Sequence, residues 1–330
     1  MAYQTGTATN QADLLDKLRA FLLANGWTIE AWRFQIGQPT WRWLAFSKSG
    51  FFFNFMEIKT AALSSAATAE HIAVRYADSY NSAVEYSAQL PNHGETYAAD
   101  TVGPYSSYHF FEGVGRSGPY VYCAVELGIG DFRHFGAGVL DKVGTYTGGQ
   151  FVFGTRHDMR NGWINTAVTS RGHSYPFDDS LWTGVSGGIP RSVTMVRCDD
   201  SLGGNTTDAR YDAAAGQLAR CGGFRGTNDA AQNNGTGSPS AAFWAAGPLA
   251  SIAVSPLIRV PYFVERGVAD TFALIGEPPA FRHFDIRYNN PGDEITLGAE
   301  VWKVFPIIRK GTPTSTLAAS QNYAIAYRKS

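Results

Sequence analysis

Glycine cuts this sequence into short pieces. Apolar runs at 105–111, 120–127 and 132–137 alternate with turn signals such as Gly113-Val114-Gly115, Gly148-Gly149, Gly187-Gly188, Gly222-Gly223 and Asn290-Pro291-Gly292-Asp293. Further runs fall at 151–154, 192–197, 257–264, 281–286 and 302–308. No helical crossovers lie between them, so they read as antiparallel strands of a sandwich or barrel. The 36 Gly, 15 Pro and 14% aromatic content point the same way.

One clear stretch has helical period. Leu14, Leu15, Leu18, Phe21 and Leu22 form a single apolar stripe, with Lys17 and Arg19 off it. Asn10 is placed to cap it, Asp13 sits three residues on, and Asn25-Gly26 ends it. From Trp27 the period becomes two: Trp27, Ile29 and Ala31 on one side, then Trp41, Trp43 and Ala45, with Gln38-Pro39 as the expected turn. A third strand, Phe51–Ile58, follows Ser49-Gly50. Residues 1–60 therefore read as a helix on a small antiparallel sheet, a unit suited to docking. The small, poorly patterned residues 61–69 place a boundary, and 61–330 read as a β-sandwich body. In 66–90 the alanines favour helix, while Ile72-Ala73-Val74 and Val84-Glu85-Tyr86 favour strands, and the strand reading is preferred. Residues 199–239, rich in Gly, Asn, Asp and Thr, are expected to form a long surface loop. The fold class expected is mainly β: an antiparallel, jelly-roll-like β-sandwich with one N-terminal α-helix packed on a small sheet.

Charge narrows the partners. There are 27 Lys plus Arg against 28 Asp plus Glu, a net charge of −1, which supplies no global pull toward nucleic acid or an anionic membrane surface. Charged residues are 17%, against roughly 25% in an ordinary domain. The 44% hydrophobic share supports a core and argues against disorder. No apolar run approaches the ~20 residues that span a bilayer. The start, Met1-Ala2-Tyr3-Gln4-Thr5, lacks the pattern of a secretory signal, so synthesis in a cytosol is expected. Cys123, Cys198 and Cys221 are odd in number and widely spaced, which suits reduced, buried thiols better than disulfides or a zinc site.

Several short motifs suggest chemistry and lack its context. Gly113-Val114-Gly115-Arg116-Ser117-Gly118 fits G-x-G-x-x-G, but Pro119-Tyr120-Val121-Tyr122 after it reads as a strand, where a dinucleotide site needs a helix. Gly184-Val185-Ser186-Gly187-Gly188 fits G-x-S-x-G without the helix of a nucleophile elbow. The histidines (His71, His93, His109, His134, His157, His173 and His283) show no metal-binding spacing. The string Phe-Arg-His-Phe occurs at Phe132 to Phe135 and again at Phe281 to Phe284; its histidines read as half-buried and satisfied by backbone. Asp178-Asp179, Asp199-Asp200, Asp208 and Asp212 read as solvated loop carboxylates, with a loop calcium as the alternative. Trp163, Tyr175 and Trp182 could stack on sugar rings, although core or subunit contact is favoured. The sequons at Asn205 and Asn234 carry no weight without a secretory signal. No residue is assigned a catalytic, cofactor-binding or metal-ligating role.

Three stretches resemble virion structural proteins of tailed bacteriophages. They are Tyr3 to Asn10 running through Asp13-Leu14-Leu15-Asp16-Lys17-Leu18 to Asn25-Gly26-Trp27; Phe132 to Gly138 with Leu140-Asp141-Lys142-Val143-Gly144 and Tyr146 to Phe151; and Pro291 to Gly298 with Val301-Trp302-Lys303-Val304-Phe305-Pro306. The similarity runs in patches and is weak from about 170 to 249. The resemblance implies a repeated, non-catalytic subunit of the neck or collar, tail or baseplate, resident in the virion. It brings no cofactor and no functional residues to transfer. The partners it implies are copies of this chain and other virion proteins. A near-neutral, aromatic-rich β protein has apolar surface to hide, and a symmetric ring hides it. The competing expectations are a fibre or baseplate protein that binds host surface glycan, and a glycan-cleaving enzyme. The latter is disfavoured because no 20–50-residue β-helix repeat is present.

Overall fold

A computed structural model describes residues 1–35, 38–59, 70–89, 95–98, 101–128, 130–157, 173–174, 194–198, 220–221, 257–265, 272–307, 309–310 and 323–330. The chain opens with β1 (Ala2–Ala8), α1 (Gln11–Ala24), β2 (Thr28–Gln35), β3 (Gln38–Lys48) and β4 (Phe51–Ile58). Next come β5 (His71–Ala77), β6 (Glu95–Ala98), β7 (Tyr105–Val114), β8 (Pro119–Gly128), β9 (Asp131–Val139) and β10 (Asp141–Lys142). Then follow β11 (Gly148–Gly154), β12 (Arg156–His157), β13 (His173–Ser174), β14 (Thr194–Cys198), β15 (Arg220–Cys221) and β16 (Tyr262–Glu265). The last five are β17 (Phe272–Glu277), β18 (Phe281–Asp285), β19 (Glu294–Leu297), β20 (Glu300–Pro306) and β21 (Tyr323–Arg328). The fold is mainly β, an antiparallel sandwich with one N-terminal helix.

The layers follow from period-two alternation in a sheet covered on both sides. That central sheet has the order β1-β7-β8-β9-β11-β14. In β8, Val121, Cys123 and Val125 point one way, and Tyr120, Tyr122 and Ala124 the other. All six are buried, so the strand reads as continuous apolar sequence. The first face packs on α1 and on the sheet β2-β3-β4-β5-β6, through Leu44, Phe46, Phe53, Phe55, Ile72 and Val74. The second face packs on β18-β21-β20-β19 and β10-β17-β16-β15, through Phe281, Phe305, Tyr327, Tyr262 and Ile275. The sandwich is thus three layers deep.

The helix forms as its ends dictate. Asn10 Oδ1 accepts from Asp13 N at 2.9 Å, while Asp13 Oδ2 accepts from Thr9 N at 2.7 Å. At the other end Gly26 takes φ +75°, Gly26 N–H donates to Leu23 O, and Trp27 N–H donates to Leu22 O. This is the Schellman arrangement, and it turns Trp27 back into the core beside Leu22.

Several expectations are corrected. The division at residue 60 is not a boundary of the core: β4 pairs along its length with β5, and one hydrophobic cluster runs from α1 to β11. The chain begins with a strand, not with the helix, and β1 pairs with β7 in the central sheet. Gln38 and Pro39 open β3, with Gln38 paired to Gln35 of β2. Val84 and Glu85 are not in a strand, and Tyr86–Ala88 form one turn of 3-10 helix over the outer face of β3, where Tyr86 meets Trp43 at 6.3 Å. Gly113 and Val114 belong to β7, and the hairpin turn is closed by Gly115 N–H donating to Gly118 O. That hairpin is the structure of the G-x-G-x-x-G segment, with a strand after it. Of 257–264 only the end is strand, Ile258 making an isolated bridge to His283. The expected loop 199–239 lies outside the described residues except for Arg220–Cys221. The G-x-S-x-G segment, both sequons, His93, Trp163, Tyr175, Trp182 and the acidic pairs also lie outside them.

Candidate functional site

Among the described residues, three buried or half-buried histidines and several tyrosines lie in the layer between the central sheet and β18–β21. The two Phe-Arg-His-Phe strings meet there. In β9, Phe132 and His134 share a face, and in β18, Phe281 and His283 do; Phe132 and Phe281 enter one hydrophobic cluster from opposite sheets. Arg133 and Arg282 point away, Arg133 to Asp131 at 2.7 Å and Arg282 over the Trp302 ring. His134 and His283 are fully buried, not half-buried.

His134 bridges two layers. Its Nε2 lies 2.8 Å from Pro306 O and its Nδ1 3.0 Å from Tyr327 Oη. A carbonyl only accepts, so Nε2 carries the hydrogen, and the Tyr327 hydroxyl donates to Nδ1. Phe132, Phe305 and Tyr327 wall the ring. Burial lowers its pKa to about 4; the Pro306 hydrogen bond opposes this, and Arg133 and His109 add to it.

His109, from β7, sits at the rim of the same layer. Its ring meets that of Phe305 at a tilt, 4.6 Å between centroids, and Nδ1 lies 2.8 Å from Tyr3 Oη. Burial, then the Lys303 charge, lower its pKa to about 4, with Glu126 opposing. Tyr3 is covered by two ammonium groups, Lys303 at 5.6 Å and Lys329 at 5.3 Å from the ring centroid. Glu294 accepts from both lysines and is held below the usual carboxylate range by them. His283 is lowered to about 3 by burial alone. Burial pushes the hydroxyls of Tyr122 and Tyr327 and the Cys123 thiol well up.

This arrangement holds layers together. A general base needs a ring nitrogen within reach of a substrate proton. Both nitrogens of His134 are engaged, and the ring is out of contact with solvent. A buried thiol with a raised pKa, as in Cys123, is a packing group. Among the described residues no group of three or more His, Cys, Asp or Glu is placed to hold a metal, and no helix is long and apolar enough to cross a membrane. Tyr3, His109 and Tyr327 are members the sequence reading missed; the repeated Phe-Arg-His-Phe string was the one available signal.

Two surface features lie outside this layer. One feature is a set of exposed apolar side chains that includes Met1 50%, Val114 61%, Val143 47% and Leu274 41%. Val114 ends β7, Val143 follows β10, and Leu274 lies in β17 beside it. Met1 packs beside Gly113, the hairpin turn rests on Asp141, and Val143 N–H donates to Ile275 O. The second feature is a ladder at one side of the β2–β3 pair. The Arg42 guanidinium lies 3.7 Å from the ring centroid of Phe34 and 5.0 Å from that of Trp32, and Arg19 covers Trp32 at 5.6 Å. Phe34 is 44% exposed.

No family model matches the chain, and no curated protein matches it.

Proposed function

We propose that this chain is a non-catalytic structural subunit of a tailed-phage particle, at the neck or collar or associated with the tail, and that it assembles as a symmetric oligomer. The observation that carries the reading is the exposure of apolar side chains on neighbouring segments, Val143 at 47% and Leu274 at 41%. Apolar side chains at this exposure on neighbouring turns and strands are what subunit contact covers. Two further points support it. The histidines and tyrosines of the inter-sheet layer are engaged with one another and with backbone. Patches of the sequence resemble virion proteins of this class. The partners proposed are copies of itself and neighbouring virion proteins, and the location is the virion.

A second reading is favoured by the Phe34–Arg42–Trp32 ladder. An exposed ring flanked by guanidinium is a platform on which a sugar ring can stack, so the chain would bind host surface glycan from a fibre or baseplate. Electron imaging of purified particles, with this chain located by a tag, separates the two. The structural reading expects a ring of copies at the neck or tail. A position at a fibre tip, with glycan binding lost in Phe34→Ala, would favour the second. Absence from the particle would overturn both.

A further inference from the structure

The sheet β18-β21-β20-β19 is a layer with its own support. Its outer face carries a small core of Phe284, Ile286, Trp302, Val304, Ala324 and Ala326, and its strands are fully laddered. Among the described residues its inner face is tied to the central sheet by a set of named polar and ring contacts. Pro306 O and the Tyr327 hydroxyl are bound by His134, Phe305 meets His109 at a tilt, Lys303 and Lys329 lie over Tyr3, Tyr122 donates to Pro279 O, and Asp131 makes an isolated β-bridge to Arg309. Two of these links run through neutral imidazoles.

We propose that β18–β21 is an acid-releasable layer, in which protonation of His134 and His109 detaches it from the central sheet before the helix-side layer loosens. Among the described residues, little counter-charge faces either ring. Protonated His134 would present a second N–H to Tyr327, whose hydroxyl now donates to that nitrogen. The charged groups around it are Arg133 on its own strand and His109 on β7, both cationic when charged; Asp131 is bound to Arg133. From β20 and β21 it is faced by a carbonyl, Phe305 and Tyr327. Among the described residues His109 is faced by Tyr3 from β1 and Lys303 from β20, and Glu126 on β8 acts on it with opposite charge; Glu294 is taken up by the two lysines. A cation formed in this layer gains solvation and sheds repulsion by opening it. The lowered pKa values of both rings agree with that cost. On the opposite face the buried charge is the Glu112 carboxylate, already paired with Lys48 and the Trp27 indole, so protonation there removes a charge and creates no new buried cation on Glu112. The inference is independent of where the chain resides in a particle.

Hydrogen exchange on the full chain tests it, with rates corrected for intrinsic pH dependence. Between about pH 7.5 and about pH 4.5, amides of β20 and β21 are expected to lose at least about tenfold protection, while those of β3 and β4 change by less than about threefold. The His109→Phe variant, which keeps a ring at the rim, should lose part of that response. Two results overturn the proposal: β20 and β21 staying protected to about pH 4.5, or every sheet losing protection together at one pH. Because the decisive comparison is made within the unmodified chain, it does not depend on a variant folding.

Discussion

The two faces of the central sheet are made from alternate residues of the same strands, yet they hold their neighbours differently. Toward α1 and β2–β6 the sheet presents Val121, Cys123, Val125, Phe135, Ala137 and Val139, meeting Leu, Ile and Phe side chains. The charges of that side, Glu112 and Arg133, are paired: Glu112 accepts from Lys48 and from the Trp27 indole at 3.0 Å each. Toward β18–β21 the sheet presents Tyr120, Tyr122, Phe132 and His134, and polar atoms inside the cluster cross between layers. Tyr122 Oη also donates to Pro279 O at 2.7 Å, just before β18. The first interface is chiefly apolar, with directional contacts such as the Trp27 indole to Glu112. The second carries its polar atoms between layers, and each buried polar atom must find its partner. On the acid-release proposal, a single strand carries a less and a more pH-sensitive face, the two separated by a period of two.

The comparison can be broken most severely on the apolar side. Phe135→Ala removes a ring packed on Phe55 at 5.7 Å and should cost about 3–5 kcal/mol, equally at neutral and mildly acid pH. Denaturant unfolding at several pH values checks both parts. On the polar side, His134→Phe keeps the volume but leaves Pro306 O and the Tyr327 hydroxyl without their partner. The cost at neutral pH should be about 2 kcal/mol. Its pH dependence has a definite sign. Unfolded histidine takes up protons near 6.5, and folded His134 holds out to about 4, so its contribution is full above 6.5 and declines as pH falls to about 4. At about 1.4 kcal/mol per pH unit, the deficit of His134→Phe relative to the unmodified chain should close and reverse over that range. A deficit independent of pH would contradict the neutral-bridge account. Tyr3→Phe, at the rim of the same layer, should cost about 1 kcal/mol and raise the His109 pKa little, because burial and Lys303 set it; histidine-resolved NMR titration reads this directly. The smallest effect expected is Asn10→Ala, about 1 kcal/mol or less, through loss of the helix cap and without reference to either face.

Local signals in the sequence were readable and distant ones were not. The helix, its Asn10 cap and its Gly26 stop follow from residues within one or two turns of each other, and the structure has them. The strands β7, β8 and β9 follow from apolar runs and glycine turns. β1 is different. Its Tyr3-Gln4-Thr5-Gly6-Thr7 is polar and short, and only pairing with β7, about a hundred residues on, makes it a strand. Val84 to Tyr86 have strand-like residues but serve as a cover for Trp43, where packing overrides propensity. The separation expected at residue 60 rested on a composition shift, which cannot reveal that β4 and β5 pair across it. For the histidine layer, the sequence showed the Phe-Arg-His-Phe string twice. The contact that gives the string meaning, His134 to Tyr327, spans 193 positions and is invisible to spacing.

On the proposed function, the histidine layer binds the sheets of this chain, and the exposed Val143 and Leu274 are covered by further copies of it. The mass of the purified full chain in solution tests this most directly, beside a Val143→Glu, Leu274→Glu variant. The account predicts a closed oligomer of one defined copy number for the unmodified chain and a folded monomer for the variant, since two carboxylates would be buried unpaired in the contact. An unmodified chain that stays monomeric at high concentration, or a variant that assembles as before, would contradict it.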